Sequence, residues 1–584
     1  MVTVAQTHNY PLQLAASTLQ LLQHAVTFGL GGEGEAALSK LWTTASLAHE
    51  ALHITGYGSI SLSDTFAKLP SFAHSTFNLL GRIQDNLRAE QDYKLVILDD
   101  DPTGTQTCHD INVLTMWDID LLATEFRSES KGFFILTNSR ALPSSEARAL
   151  VSEILQNVSR AASLTGNKFE VVLRGDSTLR GHFLEEIEAH INTIGSPDAW
   201  IVAPFFEHGG RYTIDDVHYV ADEGTLVPAA NTPFAKDKSF GYRSSNLSQY
   251  VLEKAGSRFS KKDVLSVSLE DIRLGGIPAI EQKLLLAPKG GILIVNAVKE
   301  EDMLLFCLAL SEGTCKSLLI SLNGEQADIH TPVRKRHQLR FGYRTGASFV
   351  SSCLGIPQRP FILPKEIPVT MVARKTGGLI VVGSYVPKST KQVQCLIERS
   401  GSNLTTLKVE VPALLSELKE YPNIPTMLQH SVTLQEIIKS ASKCLQDGRD
   451  VLVMTSRDLV TMESTDATSS QPINRLTDLE INTLTANALV YILRHLTVCP
   501  RYLLSKGGVT SSDAATAGIG LKRARVLGQA ALGVPVWLPQ NEEDFKTLDQ
   551  GGREVRWTQL PLIVFPGNVG QESSLAEVVE RWST

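Results

Sequence analysis

The stretch Leu95-Val96-Ile97-Leu98-Asp99-Asp100-Asp101-Pro102-Thr103-Gly104 places three carboxylates directly after four apolar residues. An apolar run of that length, bounded by charge and then by proline and glycine, predicts a buried strand of a parallel sheet that enters a tight loop. Ligands of open α/β sheets collect beyond the carboxyl ends of such strands. The loop is therefore either a site where neighbouring acids bind a cation or a polyol, or a solvated acidic turn.

Short apolar runs separated by helical patterns continue along the chain, which predicts βαβ units. The runs lie at 133–137, 171–173, 200–203, 264–267, 292–295, 318–322, 379–382, 407–411, 451–454, 502–504 and 562–565. The predicted fold class is α/β, with two unequal α/β domains, mainly parallel sheets, an interdomain cleft and an N-terminal helical appendage. The predicted boundaries are 1–90 for the appendage, 94–355 for the first domain, 356–371 for a proline-rich linker and 372–584 for the second domain.

The composition describes a soluble globular protein: 43% of its 584 residues are hydrophobic and 20% are charged. A net charge of −7 argues against a nucleic-acid or anionic-membrane partner. No apolar run approaches the roughly 20 residues of a membrane span. The seven cysteines form no CxxC pair, so we expect reduced thiols and a cytoplasmic protein. The sequence leaves the oligomeric state open, including a homo-oligomer.

The acidic loop resembles the opening Asp-Asp-x-Thr-Gly motif of the four-carbon acid sugar kinases through Asp100, Asp101, Thr103 and Gly104. The resemblance continues in order through 174–181, 204–213, 383–384, 506–510 and 566–570. It implies an ATP-dependent kinase that phosphorylates the terminal C4 hydroxyl of a four-carbon sugar acid. The first domain would bind the acid, and the second would bind ATP with Mg²⁺.

The acceptor site is predicted in the first domain. A sugar acid carries a carboxylate, which calls for an arginine fork, and hydroxyls, which call for aspartate or backbone partners. With the resemblance, the predicted substrate-binding residues are Asp100, Asp101, Thr103, Gly104, Arg174, Asp176, Ser177, Arg180 and Arg211. Asp100 is the first choice, and Asp101 the second, for the carboxylate that positions or deprotonates the acceptor hydroxyl. Asp176 and Ser177 have the alternative role of capping the helix that follows.

Loops that follow strands of the second domain are predicted to bind ATP. Paired glycines permit close backbone approach, and a helix that begins there offers free N–H groups to phosphate. None of these loops has the GxxxxGK[ST] pattern of a P-loop. By resemblance, the predicted ATP-binding residues are Ser384, Gly507, Gly508, Val509, Thr510 and Gly567. The family's usual pattern carries an acid where Val509 stands, so the metal ligands are unknown.

Residues 10–42 resemble the C-terminal tail of a β-hydroxyacid dehydrogenase, with a Pro-Leu start and a Gly-Leu-Gly turn. No GxGxxG follows a strand there, so we expect no nicotinamide-binding domain in this chain. Functional coupling to a dehydrogenase favours 3-oxo-tetronate as the acceptor over D-threonate or D-erythronate. Two alternatives stay open: a kinase of another hydroxy acid, and a non-catalytic sugar-acid sensor or scaffold, which Val509 favours.

Overall fold

The computed structural model describes residues 57–73, 76–311, 339–367, 375–383, 386–456, 478–540, 546–548, 554–557 and 559–583. From Ser59 onward they belong to one compact unit. Residues 10–42 and the strand expected at 318–322 lie outside the described residues, so the dehydrogenase-like tail and that strand stay predictions.

The first lobe is built on parallel strands buried on both faces, as their continuous apolar runs require. Its strands are β1 (Ile60–Ser61), β2 (Tyr93–Asp99), β3 (Ile111–Leu114), β4 (Gly132–Leu136), β5 (Lys168–Arg174), β6 (Ala199–Ala203), β7 (Arg211–Ile214), β8 (Val217–Asp222), β9 (Thr225–Pro228), β10 (Val264–Val267), β11 (Gly291–Val295) and β12 (Phe341–Thr345). Its helices are α1 (Leu62–Lys68), α2 (Leu79–Ala89), α3 (Ile119–Arg127), α4 (Ser144–Thr165), α5 (Phe183–Ile194), α6 (Leu247–Ala255), α7 (Gly276–Leu286), α8 (Glu300–Ser311) and α9 (Ala347–Cys353).

The second lobe has a smaller parallel sheet of the same kind. Its helices are α10 (Pro387–Ser400), α11 (Val411–Leu418), α12 (Ile424–His430), α13 (Val432–Gln446), α14 (Asp478–His495), α15 (Gly508–Asp513) and α16 (Ser574–Ser583). Its strands are β13 (Leu379–Val382), β14 (Leu404–Val409), β15 (Asp450–Thr455), β16 (Leu503–Lys506), β17 (Arg523–Ala531), β18 (Val534–Pro539), β19 (Lys546–Leu548), β20 (Glu554–Arg556) and β21 (Leu562–Phe565).

A single sheet of fifteen strands runs through both lobes, in the order β10-β11-β6-β12-β5-β2-β4-β3-β17-β18-β21-β16-β13-β15-β14. Strands β10 to β3 pair in parallel, and so do β21 to β14. Between them, the hairpin β17–β18 pairs antiparallel with β3 on one side and with β21 on the other. The two parallel halves are therefore joined by backbone hydrogen bonds as well as by the linker.

The hairpin also reverses the strand direction, because three successive antiparallel pairings separate β3 from β21. In a flat sheet, the carboxyl ends of the two parallel halves would then lie at opposite edges. The β17–β18 ladder has register shifts at Val526/Gly528 and at Gln529/Ala531. Such bulges bend a strand and increase its twist, so they lie where the ribbon must curve to bring the two lobes face to face.

The fold class predicted from the sequence, α/β with mainly parallel sheets, is confirmed by this sheet. The runs at 264–267, 379–382 and 562–565 have the predicted bounds. Strand β12 and the meander β7–β9, which pairs with β1, had not been predicted. No helix among the described residues is long and apolar enough to cross a membrane.

Residues 59–90, which the predicted boundaries give to the appendage, lie in the same compact unit as both lobes. Strand β1 pairs antiparallel with β9. Helix α2 packs on α8 through buried Leu79 and Ile83, and Asn86 Nδ2 donates to Ser311 Oγ at 3.1 Å. The apolar residues of α2 form one face of the helix, and packing on α8 removes that face from water.

Substitution of Ile83 tests whether α2 is part of the fold. Its side chain is 1% exposed, so Ile83→Ala should lower the free energy of unfolding by about 2–5 kcal/mol. Leu164→Ala is the matched control, since Leu164 is 68% exposed and its loss should change little. Denaturant titration measures both, and equal stability of the two variants would contradict the packing described.

Candidate active site

Three neighbouring strands end together at one edge of the first lobe. Asp99 at the end of β2 pairs in register with Arg174 of β5 on one side and with Leu136 of β4 on the other. Because parallel strands share one direction, the loops that follow them lie side by side. The acidic loop is thus flanked by the loop after β5 and by the loop that carries Arg140.

The three acids of the loop have different surroundings. Asp99 is buried, and burial, with the charges of Asp100 and Asp101, raises its pKa to about 7, although Arg174 opposes the shift. Asp100 is also buried, with 2% of its surface exposed. Asp101 begins a 3₁₀ turn, Pro102–Thr107, and its Oδ1 accepts a hydrogen bond from Thr103 N at 2.9 Å. Only the third acid therefore keeps an oxygen that faces the cleft.

Two arginines neutralise the buried acids. Arg140 holds Asp100 with a fork, Nη2 at 2.8 Å from Oδ1 and Nε at 3.3 Å from Oδ2, and its Nη2 lies 3.5 Å from Asp101 Oδ2. Arg174 Nη1 lies 3.2 Å from Asp99 Oδ1 and 3.7 Å from Asp100 Oδ1. Ion pairs with this geometry are rigid, because water has little access to them and cannot take over the hydrogen bonds that a displaced partner would leave. The loop is held in place before any ligand arrives.

The loop after β5 carries a second ion pair. Arg180 Nε donates to Asp176 Oδ2 at 2.6 Å, and the Arg180 guanidinium carbon lies 5.1 Å from the centre of the Phe234 ring. Burial opposes ionisation of Asp176, but the charges of Arg180 and Arg140 and a hydrogen bond from Thr178 hold its pKa well below the usual range. Asp176 therefore fixes an arginine and has no proton to give at neutral pH.

Arg211, at the start of β7, differs from these arginines in its ion pairing. It is buried, its Nη1 donates to the Gly209 carbonyl oxygen, and no carboxylate of the described residues lies within 4 Å of it. Its Nε is buried and has no hydrogen-bond partner among the described residues. Burial lowers the pKa of this guanidinium, as it does for a cation without an anion beside it. Arg211 is thus equipped to bind an anion that the chain itself does not supply.

Three loops of the second lobe meet at its own strand ends. Val382 of β13 pairs with Lys506 of β16, which pairs with Phe565 of β21. Lys506 Nζ donates to the Pro566 carbonyl at 2.9 Å and so ties the Gly507-Gly508 loop to the loop 566–570. This register brings the predicted ATP-binding loops together.

Helix α10 positions the last of these loops. Ser389 Oγ donates to the Gly567 carbonyl at 3.2 Å, and Gln392 Nε2 donates to the carbonyls of Val569 at 3.0 Å and Gln571 at 2.7 Å. Thr390 and Gln394 of the same helix are exposed, so the loop is held by the face of α10 that carries Ser389 and Gln392.

One cavity of about 480 Å³ lies between the strand ends of the two lobes. Of the predicted site residues, it is lined by Asp101, Thr103, Arg174, Asp176, Ser177, Arg180, Arg211, Gly507, Gly508, Val509, Thr510 and Gly567. Asp100 does not line it, because Arg140 covers that carboxylate, and Gly104 packs against Asp99. Ser384 lies outside the described residues. Acceptor-side and nucleotide-side residues thus share one space, of a size typical for small-molecule sites.

Within the cavity, Asp101 of the first lobe reaches the glycine loop of the second. A β-carbon at Gly508 would lie 2.0 Å from Asp101 Oδ2, nearer than any side chain can approach. Only glycine fits this position without displacing the carboxylate. From the sequence, Gly508 was predicted to let the backbone approach a phosphate. In the structure it also lets the carboxylate of the acidic loop approach.

The sequence analysis missed several residues of the cavity wall. Asn138 and Arg140 follow β4, and the end of that predicted strand was the signal that would have found them. Ala486, Leu489, Val490 and Leu493 form an apolar stripe of α14 on the wall. Asp513, the last residue of α15, also lines the cavity. No sequence motif marks this stripe, since its spacing is that of any core-facing helix.

Comparisons with known proteins agree with this division of labour. A family model described as a sugar-binding N-terminal domain matches residues 95–324, and one described as a nucleotide-binding C-terminal domain matches residues 379–575. The D-threonate kinase of Salmonella typhimurium is 28% identical over 240 residues, which are 40% of this chain and 52% of that kinase. The chain thus spans about half the length of this curated relative.

Solved structures share the fold. A Haemophilus influenzae protein of the DUF1537 family is 14% identical, with a TM-score of 0.50 over 83% of this chain and 99% of that one. A Salmonella typhimurium protein described provisionally as a tRNA synthase is 12% identical, with a TM-score of 0.53 over 84% of this chain and 98% of that one. At these identities the likeness concerns the fold alone. The ordered motifs, the two matched domains and the shared fold together place this chain in the four-carbon acid sugar kinase family.

Proposed function

We propose that this protein is an ATP-dependent kinase that phosphorylates the C4 hydroxyl of a four-carbon sugar acid. The observation that supports this most is the single cavity, which has arginines and Asp101 on one wall and three glycine-containing loops on the other. Phosphoryl transfer depends mainly on positioning two substrates and on neutralising charge, and the two walls offer these separately.

The arginines of the first lobe would bind the acid. Arg140 and Arg174 are matched by Asp99 and Asp100, and Arg180 is matched by Asp176. Arg211 is the buried cation of this wall that the described carboxylates leave unmatched, so it is the one with a fork for the substrate carboxylate. Arg180 would give the second contact. Arg174, which the sequence predicted to bind the substrate, would have a supporting role instead, because it is paired with Asp99 and Asp100 of the acidic loop.

We assign proton transfer to Asp101 in place of Asp100, the sequence-based first choice. Asp100 is buried and engaged by the Arg140 fork, whereas Asp101 Oδ2 faces the cleft next to Gly508. The C4 oxygen would form its bond to the γ-phosphorus as the bond from that phosphorus to the β,γ-bridging oxygen breaks, and the proton of the C4 hydroxyl would pass to Asp101. ADP and the 4-phosphate of the acid are then the products.

The second lobe would bind the nucleotide. Gly507 and Gly508 leave their backbone open to phosphate, and Gly567 is positioned by Ser389. The apolar stripe of α14 suits the face of a purine base. Within the described ranges no three His, Cys, Asp or Glu side chains converge on a metal site. Kinases commonly hold Mg²⁺ through nucleotide phosphates and one or two carboxylates, so the residues present fit a cation that enters with ATP and neutralises phosphate charge.

The acceptor is assigned to 3-oxo-tetronate, on the resemblance of residues 10–42 to a dehydrogenase tail. D-threonate is the second candidate, since the matched relative from Salmonella typhimurium is a D-threonate kinase. Both acids present one carboxylate and one terminal hydroxyl, the two groups that Arg211 and Asp101 would bind in this proposal.

A coupled assay of ADP release tests the proposed activity. With ATP and Mg²⁺, we expect turnover with 3-oxo-tetronates and less with threonate, erythronate or glycerate. Turnover with D-threonate alone would overturn the choice of acceptor but not the reaction. Binding of these acids without ADP release would identify the sensor or scaffold alternative.

Paired substitutions test the two acids of the loop. Asp101→Asn should lower kcat by roughly 10²–10⁴-fold and leave stability nearly unchanged, because it removes a base and little packing. Asp100→Asn should lower the free energy of unfolding by about 3–5 kcal/mol, because it strips a buried carboxylate from Arg140 and Arg174. Thermal unfolding and steady-state kinetics measure both. The opposite pattern would return the catalytic assignment to Asp100.

A third test concerns Arg211. Arg211→Gln should raise KM for the sugar acid by about ten- to a hundredfold while KM for ATP barely changes, since the guanidinium binds the acid before and during transfer. Arg180→Ala should have a smaller effect, and Arg88→Ala, at an exposed position on α2, should have none. A larger change in KM for ATP than for the acid would reverse the assignment of substrates to lobes.

A further inference from the structure

Asp513 is a carboxylate on the cavity wall that the proposed reaction leaves without a role. It is half-buried at the end of α15 and lines the cavity on the side of the second lobe. No ion pair or side-chain hydrogen bond joins it to any described residue. Burial raises its pKa to about 6, so the group is ionised at neutral pH despite its position. A half-buried carboxylate is costly without hydrogen-bond donors, and a ligand could provide them.

The position of Asp513 along the wall is informative. It follows Gly508 by five residues, about 7.5 Å along the helix at the usual rise per residue. A β-carbon at Gly518 would lie 2.9 Å from Leu493 Cδ1 and 3.3 Å from the Asp513 carbonyl oxygen, so Asp513 is close to the apolar stripe of α14. The wall therefore presents, in order, a glycine loop, a carboxylate and an apolar surface.

That order matches the parts of a nucleotide. Phosphates suit the glycine loop, the base suits the apolar stripe, and the ribose with its two hydroxyl donors lies between them. A carboxylate is an acceptor only, so it can take hydrogen bonds from both the 2′ and 3′ hydroxyls, and such charge-assisted bonds are strong. Val509, one turn earlier on α15, is apolar and 52% exposed and offers no such bond.

We infer that Asp513 binds the ribose hydroxyls of the nucleotide and so makes the second lobe selective for ribonucleotides. This inference rests on the proposed function, because it assumes that the cavity takes ATP. Asp513 is a specificity-determining residue in this scheme and does not touch the transferred phosphoryl group.

Calorimetric titration of the full chain with Mg²⁺ and either ADP or 2′,3′-dideoxy-ADP tests the inference. The wild type should bind ADP about ten- to a hundredfold more tightly than the dideoxy analogue, the range expected for hydrogen bonds to a charged group. Asp513→Ala should weaken ADP binding by a similar factor and bring the ratio of the two affinities close to one. Asp447→Asn, an exposed carboxylate on the same lobe, should keep the wild-type ratio.

The outcomes separate the two hypotheses. If the wild type binds ADP and Asp513→Ala keeps its preference for ADP, the ribose assignment is overturned while the proposed kinase function stands. If the wild type binds neither nucleotide, the proposed ATP site itself fails. Should Asp513→Ala not fold, Asp513→Asn keeps the size of the side chain and removes its charge. An unchanged ratio in that variant would equally overturn the inference.

Discussion

The contact between Asp101 and Gly508 is the constraint on which the site depends. Asp101 Oδ2 lies 2.0 Å from the position that a β-carbon of residue 508 would occupy, so the acidic loop and the glycine loop approach this closely only because residue 508 is glycine. The contact places the carboxylate proposed to act on the acceptor hydroxyl against the loop proposed to hold the nucleotide phosphates. Groups prepositioned in this way lower the entropic cost of bringing two substrates together.

The rigidity of Asp101 comes from the charges behind it. Asp99, Asp100 and Arg174 are buried and Arg140 is largely covered, so the loop has partners of both signs within a few ångströms. Burying charges costs free energy that ion pairs recover only when their geometry is good. A cluster of this kind adds little net stability, but it allows few alternative positions. The fold thus accepts a costly cluster of charges at the loop where the proposed transfer would require precise orientation.

Much of this architecture could be predicted from local sequence, and some could not. Runs such as Leu562–Phe565 and Leu379–Val382 are apolar and contain β-branched residues, so the local pattern was enough to predict their bounds. Strand β12 carries Arg344 and Thr345, and these polar residues interrupt the apolar pattern by which a buried strand is predicted. The pairing of β3 with β17 joins residues about 400 positions apart, and no local pattern encodes such a partner.

The site residues could likewise be predicted only in part. The motifs identified the loops, because glycine, proline and aspartate mark them, but not which side chain faces the cavity. Asp100 and Asp101 are adjacent, and only the pairing with Arg140 shows that the first is covered and the second open. Arg140 itself follows a predicted strand, yet it carries no motif that would set it apart from other surface arginines.

The hairpin β17–β18 also protects the edges of the two parallel halves of the sheet. Without it, β3 and β21 would each be an edge strand with a row of unpaired backbone N–H and C=O groups. Such edges invite pairing with other chains and aggregation, and natural proteins cover or interrupt them. Here one ribbon, the hairpin of the second lobe, covers the edge strand of each parallel half. The sugar-binding and nucleotide-binding halves are therefore not interchangeable modules, and a gene that separated them would have to supply a new edge cover for each.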